Sequence, residues 1–255
     1  MDIDDKIGGL GAVVLFVVVV AAGVYYYNRA APAAAPAVPA ASAPVPAPAA
    51  SPAEPLPKLE ESDAFIRSKA AALSADPLFA AWLKTDDLLE RFAAAANMIG
   101  HGRVPKDALS FLAPRRKFSV RKKDGKFYED AAAYARYDAA ARAFGSLDAA
   151  AAAGFFGTCR PLFQEAYRGL GEEKGDVRDA VARAVQELLK TPLVAGGMPL
   201  KEKGLGYAYA DDALEKMSPA RKQLLRMGPK NQAAIQAKLR EFDSALNVVV
   251  PGTAK

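Results

Sequence analysis

The sequence contains almost none of the side chains on which disulfides and metal sites depend. Its 255 residues include one cysteine, Cys159, and one histidine, His101. A single cysteine excludes a disulfide within the chain and a thiolate zinc cluster. A single histidine excludes the zinc signatures that need a histidine pair, and it leaves one imidazole as a possible base. Most familiar catalytic sites are therefore excluded, and the sequence predicts neither a metal nor a cofactor.

Positive charge is concentrated in the later part of the chain. The formal net charge is +5 at pH 7, but residues 1–57 carry more acidic than basic side chains, so the surplus lies in the remainder. Such a surplus suits a partner with negative charge, such as anionic lipid, a cell-wall polymer or nucleic acid, and it also serves solubility. Charge alone does not decide between these uses.

One long apolar run lies near the N-terminus. Residues 7–27 contain no charged side chain. At about 1.5 Å per residue this stretch spans a hydrocarbon core about 30 Å thick. A cleaved signal peptide is the alternative, but the residues before the run are mostly acidic and the run is longer than a signal peptide needs. The sequence therefore predicts an uncleaved transmembrane helix, in which Gly8 and Ala12 could allow two such helices to pack as a homodimer.

A proline- and alanine-rich segment follows at residues 28–57. This composition cannot pack a core and favours an extended, polyproline-like spacer. The positive-inside rule gives no clear orientation, because Lys6 before the apolar run is balanced by Arg29 after it. The long spacer indicates a domain that acts away from the membrane, as in bacterial envelope proteins. The predicted location is the bacterial inner membrane, crossed once, with the soluble domain in the periplasm.

Helical patterns dominate the rest of the chain. Apolar residues recur at helical spacing after Asp76, Asp86 and Asp176, which are placed to cap helices. The dipeptide Asp124-Gly125 between short apolar stretches favours a tight hairpin turn. The predicted fold is mainly α: a helical bundle with one small β-hairpin, preceded by a transmembrane helix and a disordered Pro/Ala linker. The predicted segments are an N-terminal tail (1–6), the transmembrane helix (7–27), the linker (28–57), the helical domain (58–248) and a C-terminal tail (249–255).

Three stretches of this domain resemble the signature of a known family. They are Tyr134-Ala-Arg-Tyr-Asp138, Pro161-Leu-Phe-Gln-Glu-Ala-Tyr167 and Leu224-Leu-Arg-Met-Gly-Pro229, with Asn231 after the last. The chain is similar, from Leu59 to Leu246, to a bacterial family of domains of unknown function, the DUF3014 type. The resemblance implies these domain limits and a membrane-anchored protein, since similar members are often predicted to carry the same helix and linker. It implies no activity and no functional residues.

The most distinctive cluster of side chains is basic and lies on the predicted hairpin. On a strand, Arg121 would share one face with Lys117 while Phe118 and Val120 point to the core. The outward charge could bind phosphates or carboxylates, or it could protect an edge strand from aggregation. No base-stacking aromatic is expected on that face, so nucleic acid is not the favoured partner. The candidate binding residues are Arg115, Arg116, Lys117, Arg121, Lys122, Lys123 and Lys126.

Acidic pairs offer candidates for acid–base catalysis. Glycoside hydrolysis uses two carboxyl groups across the scissile bond, so Asp86 and Asp87 are catalytic candidates for a domain that faces the cell wall. Adjacent residues diverge on a helix, however, and aspartate at a helix start is an ordinary cap. His101 follows the same predicted helix, where a capping or loop role is favoured over catalysis.

Together these features favour binding over catalysis. The sequence predicts a membrane-tethered envelope domain for binding or scaffolding, which presents the basic hairpin to an envelope protein or an anionic wall component. The alternative is a hydrolase that acts on cell-wall polymer with Asp86 and Asp87 as acid and base.

Overall fold

The computed structural model describes residues 55–110, 118–204 and 206–246. Most of the N-terminal predictions lie outside these ranges, namely the tail (1–6), the transmembrane helix (7–27) and nearly all of the linker. The C-terminal tail and Arg115, Arg116 and Lys117 also lie outside them. Within the described ranges, no helix is long and apolar enough to cross a membrane.

The predicted fold class is wrong in its β component, and the described residues supply no membrane-spanning helix to precede the bundle. The domain is mostly helical, but it holds a four-stranded antiparallel sheet instead of one hairpin. The strands lie in the order β1-β2-β3-β4 and span Val120–Lys123 (β1), Lys126–Glu129 (β2), Pro199–Lys203 (β3) and Gly206–Tyr209 (β4). β3 lacks a strand signal in the sequence because it begins with proline and three of its five residues are charged.

Ten α-helices among the described residues build the bundle. They are α1 (Ser62–Ala70), α2 (Pro77–Trp82), α3 (Leu88–Gly100), α4 (Ala131–Ala135), α5 (Asp138–Gly145), α6 (Ala149–Arg168), α7 (Val177–Leu189), α8 (Asp212–Glu215), α9 (Pro219–Arg226) and α10 (Gly228–Leu246). Two of the predicted caps are confirmed. The Asp76 carboxylate accepts from the N–H of Leu78, and the Asp176 carboxylate accepts from the N–H of Arg178.

The start of α3 is capped differently from the prediction. Asp87 occupies the N-cap position with a left-handed φ of 57°, and its side chain forms no cap hydrogen bond. Instead, the carboxylate of Asp63 in α1 accepts from the N–H groups of Asp87 and Leu88, each at 3.0 Å. The predicted cap at Asp86 is therefore wrong, because a carboxylate from another helix takes the role.

A large apolar core holds the helices together. α3 packs against both α6 and α7 within it. Buried aromatic rings fill the core, with Phe92 and Phe163 edge to face at a centroid distance of 5.0 Å. A smaller core lies under the sheet and is formed by Met198, Leu200, Tyr209, Leu214 and Leu225. The sheet face that carries Leu200 and Tyr209 is therefore packed on α8 and α9.

Candidate functional site

The strand register sorts the predicted basic residues of the hairpin onto two faces. Arg121 pairs with Tyr128, and Lys123 lies directly opposite Lys126. Paired residues project to the same side of a sheet and residues two apart share a face, so these four side chains lie together on the outer face. Lys122 pairs with Phe127 on the inner face, where its Nζ lies 5.3 Å from the centroid of the Phe127 ring.

The outer face continues onto β3 and gains two lysines there. Pro199 pairs with Tyr128, so Lys201 and Lys203, two and four residues further on, project to the same side. We define the basic sheet face as the exposed residues Arg121, Lys123, Lys126, Lys201 and Lys203. The lysines of β3 could not be assigned to it from the sequence because the strand that carries them has no sequence signal.

Only part of this positive charge is balanced within the domain. The two β3 lysines form ion pairs, at 3.0 Å with Asp212 and at 3.1 Å with Glu215. The three hairpin residues of the basic sheet face form no ion pair with any residue that the structure describes. Like charges directly opposite each other destabilise a strand pair, so the Lys123–Lys126 pair works against the stability of the hairpin. The three hairpin charges thus have no counter-charge among the described residues, and the Lys123–Lys126 pair disfavours the strand pairing.

One aromatic ring shares the outer face, which the sequence did not lead us to expect. Tyr128 is half-buried and lies opposite Arg121. Binding of single-stranded nucleic acid normally uses several aromatic rings on which successive bases stack. A single ring at the middle of the hairpin does not make such a platform.

A buried carboxylate lies on the inner face of the same hairpin. Glu129, the last residue of β2, is 2% exposed. Its Oε2 accepts a hydrogen bond from the hydroxyl of Tyr134 at 2.7 Å, and its Oε1 accepts one from the hydroxyl of Tyr209 at 3.0 Å. Burial raises the pKa of Glu129, while the two tyrosine hydrogen bonds act in the opposite direction. We refer to these three residues as the Glu129 cluster.

Tyr134 connects the Glu129 cluster to the helical bundle. Its hydroxyl also accepts from the N–H of Gly197 at 3.0 Å, and its backbone carbonyl accepts from the side-chain amide of Asn231 at 3.1 Å. Its ring packs on Gly228, where a Cβ atom would collide with it. These contacts fix the sheet on the bundle. Tyr134 and Asn231 belong to the motifs noted in the sequence, whereas Glu129 gives no sequence signal.

The candidate catalytic residues Asp86 and Asp87 lie on an exposed segment before α3. The side chain of Asp86 is 86% exposed and forms an ion pair with Arg67 at 3.1 Å. Asp87 is exposed as well, so neither carboxylate lies in an enclosed site. The Nδ1 of His101, after α3, lies 2.8 Å from the carbonyl oxygen of Asn97. Among the described residues, no group of three or more His, Cys, Asp and Glu side chains could hold a metal ion.

Comparison with protein families gives a match. A family model described as "Protein of unknown function (DUF3014)" matches residues 88–243. These residues include the basic sheet face and the Glu129 cluster, and they begin just after Asp87. The search of curated proteins and the search of solved structures gave no match. The family predicted from the three sequence motifs is therefore confirmed, while membrane anchoring and bacterial origin stay predictions.

Proposed function

Since the chain belongs to the DUF3014 family of proteins of unknown function, we propose its function from its geometry: it is a binding or scaffolding domain that presents the basic sheet face to an anionic partner. One observation carries this proposal. Arg121, Lys123 and Lys126 project from the exposed side of the sheet without a described ion pair, and two of them lie directly opposite each other.

Protection of a sheet edge explains this arrangement less well. Lysines that protect a sheet edge lie on the outermost strand, which here is β1. The basic sheet face continues from β1 onto β2 and β3, away from the edge. The unpaired charges also extend beyond the edge strand, from β1 to Lys126 on β2, which favours recognition of an anionic partner.

The Glu129 cluster supports this function by holding the sheet in place. Its hydrogen bonds join β2 to β4 and to α4 on the inner side of the sheet. A surface on a fixed support loses less conformational entropy when it binds than a surface on a mobile loop does. The basic sheet face is therefore arranged for binding before a partner arrives.

The partner that we propose is an anionic component of the bacterial envelope, either a protein or a wall polymer. The proposed periplasmic location rests on the sequence of residues 7–57, nearly all of which lie outside the described residues. No observation favours the cell-wall hydrolase. Alanine at both Asp86 and Asp87 is expected to leave partner binding unchanged, and loss of a wall-degrading activity in that variant would instead favour the hydrolase.

The proposal can be tested by co-purification of the full-length protein from its native membrane after mild in-cell crosslinking, with mass spectrometry of the attached molecules. Reversal of the three hairpin charges, Arg121→Glu, Lys123→Glu and Lys126→Glu, should remove a partner that the unaltered protein captures. The same partner should be released by salt, because exposed charges are screened over about 8–10 Å at physiological ionic strength.

A matched control uses three exposed basic residues on the helices and their connection. Arg168, Lys174 and Arg178 are exposed, and reversing them changes the net charge by the same amount. This control should retain the partner, and both variants should keep the helical circular-dichroism signal. Retention of the partner by the hairpin variant, or its loss from both variants alike, would overturn the proposal.

A further inference from the structure

The backbone of β1 has one hydrogen-bonding side turned toward β2 and one turned away from the sheet. The two-residue turn at Asp124-Gly125 closes the hairpin between Lys123 and Lys126. The N–H of Asp130 donates to the carbonyl of Ser119 at 3.4 Å, which places the backbone groups of Ser119 on the β2 side. Backbone groups alternate along an antiparallel strand. The N–H and C=O groups of Val120 and Lys122 therefore point away from β2.

These outward groups lie at the edge of the sheet. β1 is the first strand in the order β1-β2-β3-β4, so no strand of the described residues pairs with its outer side. Val120 is half-exposed and Lys122 is exposed. No described residue bonds the outward N–H and C=O groups of Val120 and Lys122. Such an edge can accept a further strand, as in protein domains that bind extended peptides.

The side chains of β1 define the chemistry of such a strand. A residue opposite β1 has its Cβ about 4.5–5.5 Å from the Cβ of its neighbour, so every second side chain of an added strand would lie beside Arg121 and Lys123 on the outer face. Carboxylates at those positions would supply the counter-charges that the described residues do not provide. The alternate side chains would lie beside Val120 and Lys122 on the inner face. Val120 packs against the small core under the sheet, and the Lys122 ammonium lies over the Phe127 ring, so apolar groups fit there.

We propose that β1 binds an extended acidic segment of a partner protein, in which carboxylate residues alternate with apolar residues, as a fifth strand of the sheet. The inference rests on the proposed function and names its partner class. Charge complementarity decides the occupant. A second copy of this chain paired through β1 would bring Arg121 and Lys123 against basic residues, which disfavours a homodimer through this edge.

A short synthetic peptide in which Glu and Val alternate is a suitable probe, with a block peptide of the same composition as its control. Binding of each labelled peptide to the full-length protein is measured by fluorescence anisotropy. The alternating peptide should bind at least about tenfold more tightly than the block peptide. Only the alternating peptide, when paired with β1, places its carboxylates on one face of the sheet and its valines on the other. Equal affinities would show that charge alone attracts the peptides, which would overturn the added strand and leave the proposed function standing.

Two variants at one position separate backbone pairing from charge. Lys122→Pro removes the outward N–H, and proline is tolerated at edge positions of this kind. Lys122→Ala removes the same charge and keeps the N–H. The proline variant should bind the alternating peptide about tenfold more weakly than the alanine variant, whereas equal binding by the two would rule out strand addition.

Amide hydrogen exchange on the unaltered protein provides a test that does not depend on a variant's folding. Addition of the alternating peptide should slow the exchange of the Val120 and Lys122 amides and leave those of Arg121 and Lys123 unchanged. Absence of that alternation would contradict the proposal. A labelled oligothymidine that bound more tightly than the peptide, with equal affinity for both Lys122 variants, would assign the surface to nucleic acid and overturn the proposal as well.

Discussion

Replacement of Gly228 by alanine should destabilise the domain by about 2–5 kcal/mol, for two separable reasons. Gly228 has a φ of 80°, a left-handed conformation that costs a residue with a side chain about 1–2 kcal/mol. The added Cβ would lie 2.8 Å from Cβ and Cδ1 of Tyr134 and closer still to Cγ. Overpacking of this kind typically costs about 1–3 kcal/mol.

The ring of Tyr134 cannot move aside easily, because it is held at both ends. Its hydroxyl binds the Glu129 carboxylate at 2.7 Å and its backbone carbonyl accepts from Asn231. Relief of the collision would break one of these contacts and loosen the sheet from the bundle. The expected loss is a large share of the stability of a domain, which is usually about 5–15 kcal/mol.

Urea unfolding followed by far-ultraviolet circular dichroism measures this loss, and Gly171→Ala is its control. Gly171 has a φ of 89°, and no atom lies within 4 Å of the Cβ that alanine would add. The control should therefore show the backbone part alone, about 1–2 kcal/mol. The double variant Gly228→Ala and Tyr134→Ala should lose less stability than the sum of the two single losses, because the ring that the new Cβ meets is gone. Equal destabilisation by Gly228→Ala and Gly171→Ala, within about 0.5 kcal/mol, would refute the reasoning.

Three further predictions concern buried and capping groups and use the same unfolding assay. Tyr134→Phe loses a hydrogen bond to the Glu129 carboxylate and leaves the N–H of Gly197 without its acceptor, so it should lower the free energy of unfolding by about 2–4 kcal/mol. Tyr209→Phe loses one hydrogen bond and should lower it by less. A larger loss in Tyr209→Phe would contradict this prediction. Because burial raises the pKa of Glu129 in the folded state, its contribution to stability is present below pH 4.5 and is lost as pH rises through the folded pKa. Glu129→Gln should remove that pH dependence. Identical profiles of unfolding free energy against pH for the variant and the unaltered protein would contradict this prediction. Asp63→Ala removes the cap of α3 and should lower the free energy of unfolding by about 0.5–2 kcal/mol. Asp86→Ala removes an exposed ion pair and should lower it by less than about 1 kcal/mol. Equal losses in the two variants would argue against the cap by Asp63.

The helical part of the domain could be predicted because its signals are local. Asp76 and Asp176 each precede an apolar helical stripe, and both cap the helices predicted after them. The hairpin turn at Asp124-Gly125 was also predicted, and both residues have the positive φ angles that such a turn requires. In each case neighbouring residues alone determine the local structure.

The remaining features depend on contacts between distant residues, which local patterns do not show. β3 is a strand because Leu200 pairs with Phe127 on one side and with Tyr209 on the other. The Glu129 cluster joins residues that lie up to 80 positions apart. Of the candidate binding residues, the sequence correctly indicated an outward Arg121, but the division of the lysines between two faces follows from the strand register.

The cap that Asp63 provides for α3 affects where a truncated form of this domain can begin. The family match begins at Leu88, the first residue of α3, but the carboxylate that accepts the N–H of Leu88 belongs to α1. Ile66, Ala70 and Leu73 from the same early region are buried in the main core. A fragment trimmed to the limits of the match would thus start with an uncapped helix and an uncovered apolar surface. Expression of the domain should therefore begin before α1, near Pro55, so that this cap and these core residues are kept.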